Sequence, residues 1–532
     1  MKSLRKLSVT AALIAPLLVG AFVYQQRDTR DSARLLDQVM QLVAGRYVDT
    51  LGQAELYEKA ARGMVHELND PYTTLLTPRE FSAFNTSSSG RYGGIGMEIA
   101  EVQGFVTVQK VFPNTPAEQG GIQEGDRIIV IDTTNVRGWN TTRVSEALRG
   151  PPGTSVRVQF SRPGVAEPIP VRFTRAIIHI PAVPYAIMLD DSVGYIPLIQ
   201  FNETATSEVA DAARRLMREG ATSLVLDMRG NPGGILDQSL SITNLFLPRG
   251  SEIASVRGRS VEDQTYTAER MPLSTEIPLV VLLNDRSASA SEIVAGALQD
   301  HDRALVVGTT SFGKGLVQTV FQLSGGYALK MTTARWFTPA GRSIQKPRTV
   351  LPNGQFAEEE ESDSLETEAD RRSRPQFRSA SGRIVYGGGA ITPDVLQRPD
   401  TLTTAEQRLF NALAPKSQIV TATIADYVRE LRSQVRPGFT VEDAWRDELY
   451  RRLMAAGVTV ERPLYDAGAP ALDRTLRDRI ATTAFGDSTA KRMAMEDDRQ
   501  LLRALELLRE GRTQQDLFVI AQRIAGANGR RR

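Results

Sequence analysis

Between residues 176 and 350, predicted strands alternate with predicted helices, and no other feature of the chain constrains the fold as strongly. Short apolar runs, which are typical of buried strands, are separated by longer runs with apolar residues at helical spacing. This alternation predicts an α/β domain, in which helices pack against a sheet. The strands are predicted at 193–200, 223–227, 279–283, 304–307 and 327–333, and the helices at 205–219 and 290–299.

Other segments surround this domain, so the expected fold is α/β and multidomain. Residues 28–89 carry apolar residues at helical spacing, and residues 401–532 are rich in Arg, Glu, Leu and Ala, so both regions are predicted to be helical. Residues 90–175 contain short alternating runs between glycines, which predict a β domain. Residues 351–382 are acidic and polar and predict a flexible insertion, after which residues 383–400 return to the α/β core.

The N-terminal residues 1–27 are predicted to be a targeting segment. Lys2, Arg5 and Lys6 precede an uncharged, mostly apolar run over residues 7–24. A positive stretch before an apolar run is typical of an export signal, and about 18 such residues approach the length of a membrane-spanning helix. We expect an uncleaved signal anchor or a cleaved signal peptide, with the rest of the chain in an extracytoplasmic, periplasmic location.

Composition argues against several classes of function. The net charge is +2 with both signs dispersed, so the charge gives no reason to expect a nucleic-acid partner. The chain has no cysteine, which excludes disulfides and thiolate chemistry, and only three histidines, which leave little material for a metal site. We therefore expect no cofactor and no metal.

One candidate site is a phosphate-binding loop. Residues 308–315 follow a predicted strand and match the GxxxxGK pattern of nucleotide-binding proteins. Gly315, however, stands where a Ser or Thr hydroxyl should hold Mg²⁺, and residues 316–323 have strand character where this loop needs a helix. Nucleotide binding is therefore disfavoured.

A second candidate is a Ser-His-Asp triad. His301 lies near Ser289 in sequence, but the helix between them separates the two by roughly 15 Å. His66 and His179 flank the β domain, and neither lies in a glycine-bounded loop. All three histidines are expected to be structural.

A third candidate pairs Ser289 with Lys314. Ser289 lies at a strand–turn–helix junction, where helix amides favour negative charge, although Ser289 and Glu292 also match an ordinary capping box. The residues alone leave Ser287, Ser289 and Ser291 open as the nucleophile. Lys314 lies between two glycines in a chain whose positive charge is mostly arginine. A lysine, unlike an arginine, can lose its proton when buried and act as a base, but an ordinary surface lysine is the alternative.

Residues 227–234 form a glycine-rich turn after another predicted strand. The backbone amides of Gly233 and Gly234 are candidates to converge on an oxyanion, because glycine permits close approach of the backbone. The alternative is a turn that has no catalytic role.

Taken together, these segments resemble the carboxyl-terminal processing proteases, also called tail-specific proteases. The resemblance covers residues 30–400 well and the C-terminal helices only loosely. The matching segments, in the order that the family shows, are Tyr92–Met97, Pro116–Ile122, Gly125–Arg127, Leu226–Gly234, Ser287–Gly296, Ser311–Gln318, Thr333–Arg342 and Gly388–Asp394.

The resemblance implies a crotonase-like (ClpP-like) α/β protease core at 176–350 and 383–400, with an inserted PDZ-like domain at 90–175. It implies a serine endopeptidase that cleaves proteins near their C-termini through an acyl-enzyme. By resemblance, Ser289 is the nucleophile, Lys314 is the general base and Gln318 orients Lys314. Gly233 and Gly234 match the oxyanion hole.

The resemblance also implies that the PDZ-like domain binds the C-terminal tail of the substrate as an added strand. The loop that takes the tail carboxylate is formed by Gly93, Gly94, Ile95, Gly96 and Met97. Ile95, Met97 and Ile99 are expected to favour an apolar last residue.

The expected partners are proteins or peptides with exposed apolar C-termini, and the membrane through the N-terminal segment. The C-terminal helices are expected to support self-association or to dock an activating partner. The rival function is a non-catalytic binding protein that combines a PDZ domain with a crotonase fold.

Overall fold

The computed structural model describes residues 34–102, 104–162, 164–190, 192–260, 262–346, 348–350, 356–358 and 368–529. The predicted targeting segment lies outside these residues, as do residues 351–355 and 359–367 of the predicted insertion. Within the described ranges, no helix is long and apolar enough to cross a membrane. The chain divides into a smaller unit, which comprises residues up to 78 with 318–332 and 350–356, and a larger unit formed by the rest.

The smaller unit contains two N-terminal helices, one short strand and residues 318–332, which include parts of two later strands. Helix α1 spans 34–46, and helix α2 (Gln53–His66) and strand β1 (Thr74–Leu76) follow it. β1 pairs antiparallel with Ala328–Lys330, which return to this unit from much later in the chain. The sequence indicated the helices but not this pairing, because a three-residue strand has too few positions to establish a period.

The larger unit begins with helix α3 and the PDZ-like domain. Its elements are α3 (Pro78–Ser89), β2 (Arg91–Gly94), β3 (Met97–Val102), β4 (Phe105–Val111), α4 (Pro116–Gln119), β5 (Arg127–Ile131), β6 (Thr134–Asn135), α5 (Thr141–Leu148), β7 (Ser155–Ser161), β8 (Ile169–Thr174) and β9 (Ala176–His179).

The PDZ-like domain is an antiparallel sheet covered by helix α5. Its strands pair in the order β3-β4-β5-β7-β8, with β6 beside β5, so β3 is an edge strand. Val144 and Leu148 of α5 pack with Phe160 of β7 in the domain core. β2 pairs with β9, so the chain enters and leaves the domain side by side, as an inserted domain must.

The predicted α/β core follows. Its elements are β10 (Ile187–Leu189), β11 (Val193–Pro197), α6 (Ala205–Arg218), β12 (Ser223–Asp227), α7 (Leu236–Asn244), β13 (Glu252–Arg257), β14 (Gln264–Thr267), β15 (Leu279–Leu283), α8 (Ala290–Asp300), β16 (Leu305–Gly308), β17 (Leu316–Gln322), β18 (Ala328–Phe337), β19 (Arg348–Val350), β20 (Phe356–Glu358), α9 (Glu368–Ser373), β21 (Gln376–Arg378), β22 (Ile384–Tyr386) and β23 (Val395–Leu396).

The main sheet of this core has the order β10-β11-β12-β15-β16-β23 and is parallel except for β10. Alternate residues of each strand point to opposite faces. Leu279, Val281 and Leu283 of β15 pack with α6, α7 and α8, whereas Val280 and Leu282 pack on the opposite face. Both faces are therefore apolar, which is why β15 is an uninterrupted apolar run in the sequence.

A second, antiparallel pairing was not predicted. β13 pairs with β14 and also with Arg335–Phe337, the last residues of β18. β14 is polar and mostly exposed, so its sequence lacks the alternation that identifies a half-buried strand.

The last part of the predicted flexible insertion 351–382 carries secondary structure. Strand β21 lies in this segment and pairs with β22. The amide of Ala380 donates to the carbonyl oxygen of Asp300 (2.7 Å), and the amide of Ser381 donates to the carboxylate of Asp302 (2.6 Å). These contacts fix the hairpin to the C-terminal end of α8, so the structured core begins earlier than residue 383.

The C-terminal region is helical, as predicted. Its helices are α10 (Thr404–Leu413), α11 (Ser417–Leu431), α12 (Asp443–Ala455), α13 (Arg462–Phe485), α14 (Asp487–Ala494), α15 (Arg499–Glu510) and α16 (Gln514–Gly529). Apolar residues of α10 to α13 form a separate core. Leu501 and Leu505 of α15 and Phe518 of α16 instead cover the second face of the main sheet.

Candidate active site

Three loops meet at one edge of the main sheet. Strands β12, β15 and β16 are adjacent and parallel, so the loops that leave their carboxyl ends lie side by side. These loops are residues 228–235, 284–289 and 309–315, which we call the glycine loop, the serine loop and the lysine loop. Segments far apart in sequence are therefore brought together by strand order.

Ser289 ends the serine loop in an unusual backbone conformation. Its φ is 55° and its ψ is −110°, whereas an ordinary N-cap residue has extended backbone angles. A positive φ at a residue with a side chain costs free energy and is concentrated at functional sites. The side chain is partly exposed, and its hydroxyl donates to no residue in the described part of the chain. A capping role alone does not account for this conformation.

The two neighbouring serines have structural roles. Ser287 and Ser291 are both fully buried. The Ser287 hydroxyl donates to the carbonyl oxygen of Met228 (2.8 Å), and the Ser291 hydroxyl donates to that of Asn231 (3.0 Å). The Ser287 hydroxyl thus joins the serine loop to the glycine loop, and the Ser291 hydroxyl joins α8 to it, whereas Ser289 is the one candidate whose side chain is partly exposed.

The buried carboxylate of Glu292 joins the serine loop to the lysine loop. One of its oxygens, Oε2, accepts from the amides of Ser289 (2.7 Å) and Lys314 (3.0 Å). The other, Oε1, accepts from the hydroxyl of Ser311 (2.5 Å) and the amide of Gly313 (2.7 Å). Burial raises the pKa of Glu292, and these hydrogen bonds oppose the shift. From the sequence, Glu292 was predicted only as a possible partner of Ser289 in a capping box.

The shared oxygen sets the separation of the two candidate catalytic residues. Because both amides hydrogen-bond to one atom, the backbones of Ser289 and Lys314 lie within roughly 6 Å of each other. Lys314 is partly buried between the glycines that flank it. Its four-methylene side chain is long enough to span that separation.

The glycine loop lies against the N-terminus of α8. Gly233 has a φ of +99°, and a Cβ at this position would lie 2.8 Å from the carbonyl oxygen of Ala288 and 3.0 Å from the amide of Ala290. The Gly233 amide donates to the side-chain oxygen of Asn231 (2.9 Å). Within the described residues, the amides of Gly234 and Ala290 donate to no protein acceptor. Ala290, which no sequence motif indicated, is therefore a further candidate oxyanion donor.

The lysine loop does not have the structure of a phosphate-binding loop. The chain after Gly315 continues as strand β17, and the Gly315 amide donates to the side chain of Gln345 (3.1 Å). A phosphate-binding loop needs a helix N-terminus at this point. Strand β17 continues to Gln318, whose side-chain amide donates to the carbonyl oxygen of Tyr72 (2.5 Å) within the smaller unit. The orienting role of Gln318 stays a prediction.

None of the three histidines lies at this site. His301 caps the far end of α8, where its ring contacts the carbonyl oxygen of Glu252 (2.6 Å), and His179 contacts Glu208 (2.9 Å). His66 is exposed at the end of α2. Among the described residues there is also no group of three or more His, Asp or Glu side chains suited to a metal ion.

The candidate tail-binding loop precedes the edge strand β3. The carbonyl oxygens of Gly93, Ile95 and Gly96 accept hydrogen bonds from elsewhere in the domain, whereas the amides of Ile95 and Gly96 donate to no acceptor in the described chain. The side chains of Ile95 and Met97 are buried in the domain core, and Ile99 is partly buried on β3.

Known proteins share these segments. Residues 192–354 match the model of peptidase family S41, and residues 86–160 match that of the PDZ domain. Residues 21–77 match the activating protease CtpB N-terminal domain. A carboxy-terminal-processing protease of Bartonella bacilliformis is 38% identical over 326 residues, which cover 60% of this chain and 74% of that relative. The chain belongs to the carboxy-terminal-processing proteases of peptidase family S41.

Further relatives agree with this assignment. Carboxy-terminal processing protease CtpA of Bacillus subtilis is 34% identical over 311 residues, which cover 58% of this chain and 66% of that relative. The solved structure of the photosystem II D1 C-terminal processing protease is 28% identical, with a TM-score of 0.38, and covers 68% of this chain and 86% of that one. On the matches to the two family models and to the two curated relatives, this protein is a serine-type, C-terminal-processing endopeptidase with a PDZ domain.

In this protease, replacement of Glu292 by Gln is expected to damage both stability and activity. An amide offers one acceptor oxygen where the carboxylate offers two, so two of the four converging donors lose their partner. Each buried, unpaired donor costs about 1–3 kcal/mol, and we expect the free energy of unfolding to fall by about 2–5 kcal/mol. The rate constant kcat should fall at least about tenfold, because the two loops lose their common anchor.

Urea unfolding and steady-state cleavage of a peptide measure the two effects. Glu219→Gln is the matched control, because Glu219 forms an exposed ion pair with Arg215 (3.0 Å) on α6 and should change stability by less than about 1 kcal/mol. A Glu292→Gln protein with the wild-type unfolding curve and kcat would refute the anchoring role.

Proposed function

We propose that this protease cleaves extracytoplasmic proteins near their C-termini with a Ser289–Lys314 dyad, and that its PDZ domain holds the substrate tail. The observation that carries the proposal is the shared Glu292 carboxylate, which fixes the backbones of both residues to one buried group. A nucleophile and its base must be held in such a fixed relation for proton transfer to be efficient.

In the proposed reaction, the neutral amine of Lys314 takes the proton of the Ser289 hydroxyl. The serine oxygen attacks the scissile carbonyl carbon, and the protonated amine then gives its proton to the leaving amide nitrogen. An acyl-enzyme forms, and a water molecule hydrolyses it with the same lysine as base. The side chain of Gln318 is proposed to orient Lys314. The reaction needs neither a metal nor a cofactor.

Backbone amides are proposed to stabilise the negative oxygen of the tetrahedral intermediate. Gly233, Gly234 and Ala290 supply the candidate donors beside Ser289, and Ala290 lies at the first turn of α8, where the helix favours negative charge. The Gly233 amide donates to Asn231 in this structure, so its participation requires that bond to be exchanged for one to the intermediate.

The PDZ domain is proposed to recognise the terminal carboxylate of the substrate. The amides of Ile95 and Gly96 are the groups of the Gly93–Met97 loop with donor capacity to spare. The free edge of β3 can take the tail as an additional strand. Because Ile95 and Met97 are part of the domain core, the preference for an apolar last residue is proposed to depend mainly on Ile99 and the groove beside α5.

Outside the catalytic domain, three further assignments are proposals. We propose that the positive and apolar residues 1–27 export the protein and anchor it in the membrane, which places the protease in the periplasm. We also propose that the C-terminal helices contribute to self-association or to binding of an activating partner.

A substrate with an altered terminus tests this proposal. An unstructured protein that ends in an apolar residue should be cleaved near its C-terminus, and amidation of that terminus should lower kcat/KM about tenfold or more, because the tail loses its charge. Mass spectrometry locates the cut. Acetylation of the substrate's N-terminus is the matched control, with an expected change below about twofold. Equal cleavage of free and amidated tails would overturn tail recognition.

A further inference from the structure

Arg229 is a largely buried arginine inside the glycine loop. It lies two residues after Asp227, the last residue of β12, and four residues before Gly233. Its guanidinium donates to the carboxylate of Asp227 (2.6 Å from Nη2), so one half of its hydrogen-bonding capacity is used within the protease core. Its side chain is 16% exposed. The other half of this capacity is directed at the C-terminal helices.

Asp498, from the C-terminal region, completes the surroundings of Arg229. Nη1 of Arg229 donates to Oδ1 of Asp498 (2.8 Å), and Nη2 donates to Oδ2 (2.8 Å), which is a bidentate pair. Gln500 accepts a further bond from Nη1 (3.1 Å). All three guanidinium nitrogens are therefore engaged, and two of them bind residues more than 260 positions away in sequence.

Asp498 is itself held firmly. It is the N-cap of α15, where its side chain accepts from the amide of Leu501 (3.0 Å), and it also accepts from the amine of Lys491 on α14 (2.8 Å). Leu501 and Leu505 pack α15 against the main sheet. The carboxylate thus has a fixed position relative to the strands whose loops form the active site.

The charges in this cluster compensate one another. Asp227 and Asp498 face Arg229 and Lys491, and the Tyr195 hydroxyl donates to Asp227 (2.7 Å). Burial alone would raise the pKa of Asp498, but hydrogen bonds from Arg229 and Lys491 lower it well below its ordinary value. Both acids are therefore ionised near neutral pH. Loss of the charge of Asp498 would leave the positive charge of Arg229 undercompensated in a desolvated site.

We infer that Asp498 is a positioning residue for catalysis, which acts through Arg229 to hold the glycine loop against Ser289. The inference rests on the proposed function, in which this loop and Ala290 supply the oxyanion donors. It gives the C-terminal helical region a defined task in the reaction. A shift of about 1 Å in such donors can lower a rate about a hundredfold while substrate binding is little changed.

The test is Asp498→Asn in the full chain. Asparagine is as good an N-cap as aspartate, so α15 keeps its cap, whereas the negative charge and the second acceptor oxygen, which binds Arg229 and Lys491, are lost. We expect kcat to fall about tenfold to a hundredfold and KM to stay within about twofold. The affinity for a peptide boronate, which forms a tetrahedral adduct with serine, should fall in parallel with kcat, whereas the affinity for an uncleaved tail peptide should not change. If Asp498 only stabilised the fold, kcat and the boronate affinity would not fall while KM and the tail affinity stayed unchanged.

Two companion variants make the result decisive. Arg229→Gln should show the same loss, and the double variant should lose no more than the more damaging single change, because both act through one contact. Asp497→Asn is the matched control, since Asp497 pairs with Arg477 instead of Arg229 and should retain wild-type kcat. Wild-type kcat in Asp498→Asn, or additive losses in the double variant, would overturn the inference. Neither result would affect the dyad, which depends separately on Ser289→Ala.

Discussion

Ser289→Ala is expected to abolish cleavage, with a fall in kcat/KM of about 10⁴-fold or more. The change removes the proposed nucleophile, which is the only serine hydroxyl among the three candidates that is not donated within the described protein. Folding should be unaffected, because the Ser289 contact to Glu292 is made by the backbone amide. Product analysis by mass spectrometry on an unstructured substrate measures the loss.

Binding of a C-terminal tail peptide distinguishes a variant that has lost catalysis from a variant that has lost its fold. Ser289→Ala should bind a C-terminal tail peptide with wild-type affinity, because the PDZ domain does not contain this residue. Ser291→Ala is the matched control. It should lose about 1 kcal/mol of stability with its buried hydrogen bond to Asn231 but keep most of its activity. If Ser289→Ala still cleaved the substrate and a folded Ser291→Ala did not, the nucleophile would be Ser291 instead of Ser289.

Lys314→Ala is expected to lower kcat/KM by about 10³- to 10⁴-fold, because in the proposed dyad the serine hydroxyl loses the base that accepts its proton. The backbone amide of residue 314 still donates to Glu292, so the lysine loop should keep its position. The rate of Ser289 modification by a fluorophosphonate should fall with the loss of cleavage, since both need an activated hydroxyl.

Lys314→Arg distinguishes a base from a positive charge. Arginine keeps the charge but stays protonated in proteins, so this variant should be as inactive as Lys314→Ala. Lys59→Ala is the control, because Lys59 forms only an exposed ion pair with Glu55 on α2 (3.4 Å) and should not affect the rate. If Lys314→Arg cleaved at the wild-type rate, electrostatic stabilisation would replace general-base catalysis as the role of this residue.

The sequence identified the α/β core because strand-forming and helix-forming runs are local patterns. The strands at 223–227 and 279–283 were predicted with the boundaries that β12 and β15 have in the structure. The PDZ-like strands were recognisable for the same reason. Short or polar strands such as β1 and β14 were missed, because their pairing depends on partners that are distant in sequence.

Different kinds of information bear on the alternatives at the active site. The replacement of a phosphate-loop hydroxyl by Gly315 already argued against nucleotide binding, and strand β17 agrees with that argument. The choice among Ser287, Ser289 and Ser291 was beyond local reasoning, since all three lie in one repetitive segment. Their difference is the burial of two hydroxyls against the glycine loop, which depends on how separate loops pack.

By itself, the sequence determined which residue types were available and which segments would form strands, helices and glycine turns, because these properties depend on neighbours along the chain. Only the tertiary structure decided that one oxygen of Glu292 joins Ser289 to Lys314, and that Arg229 reaches Asp498. The physical reason is that a buried charged group is stable only where complementary partners, donors for an anion and acceptors for a cation, converge on it from several segments. Strand order and helix packing determine which segments those are.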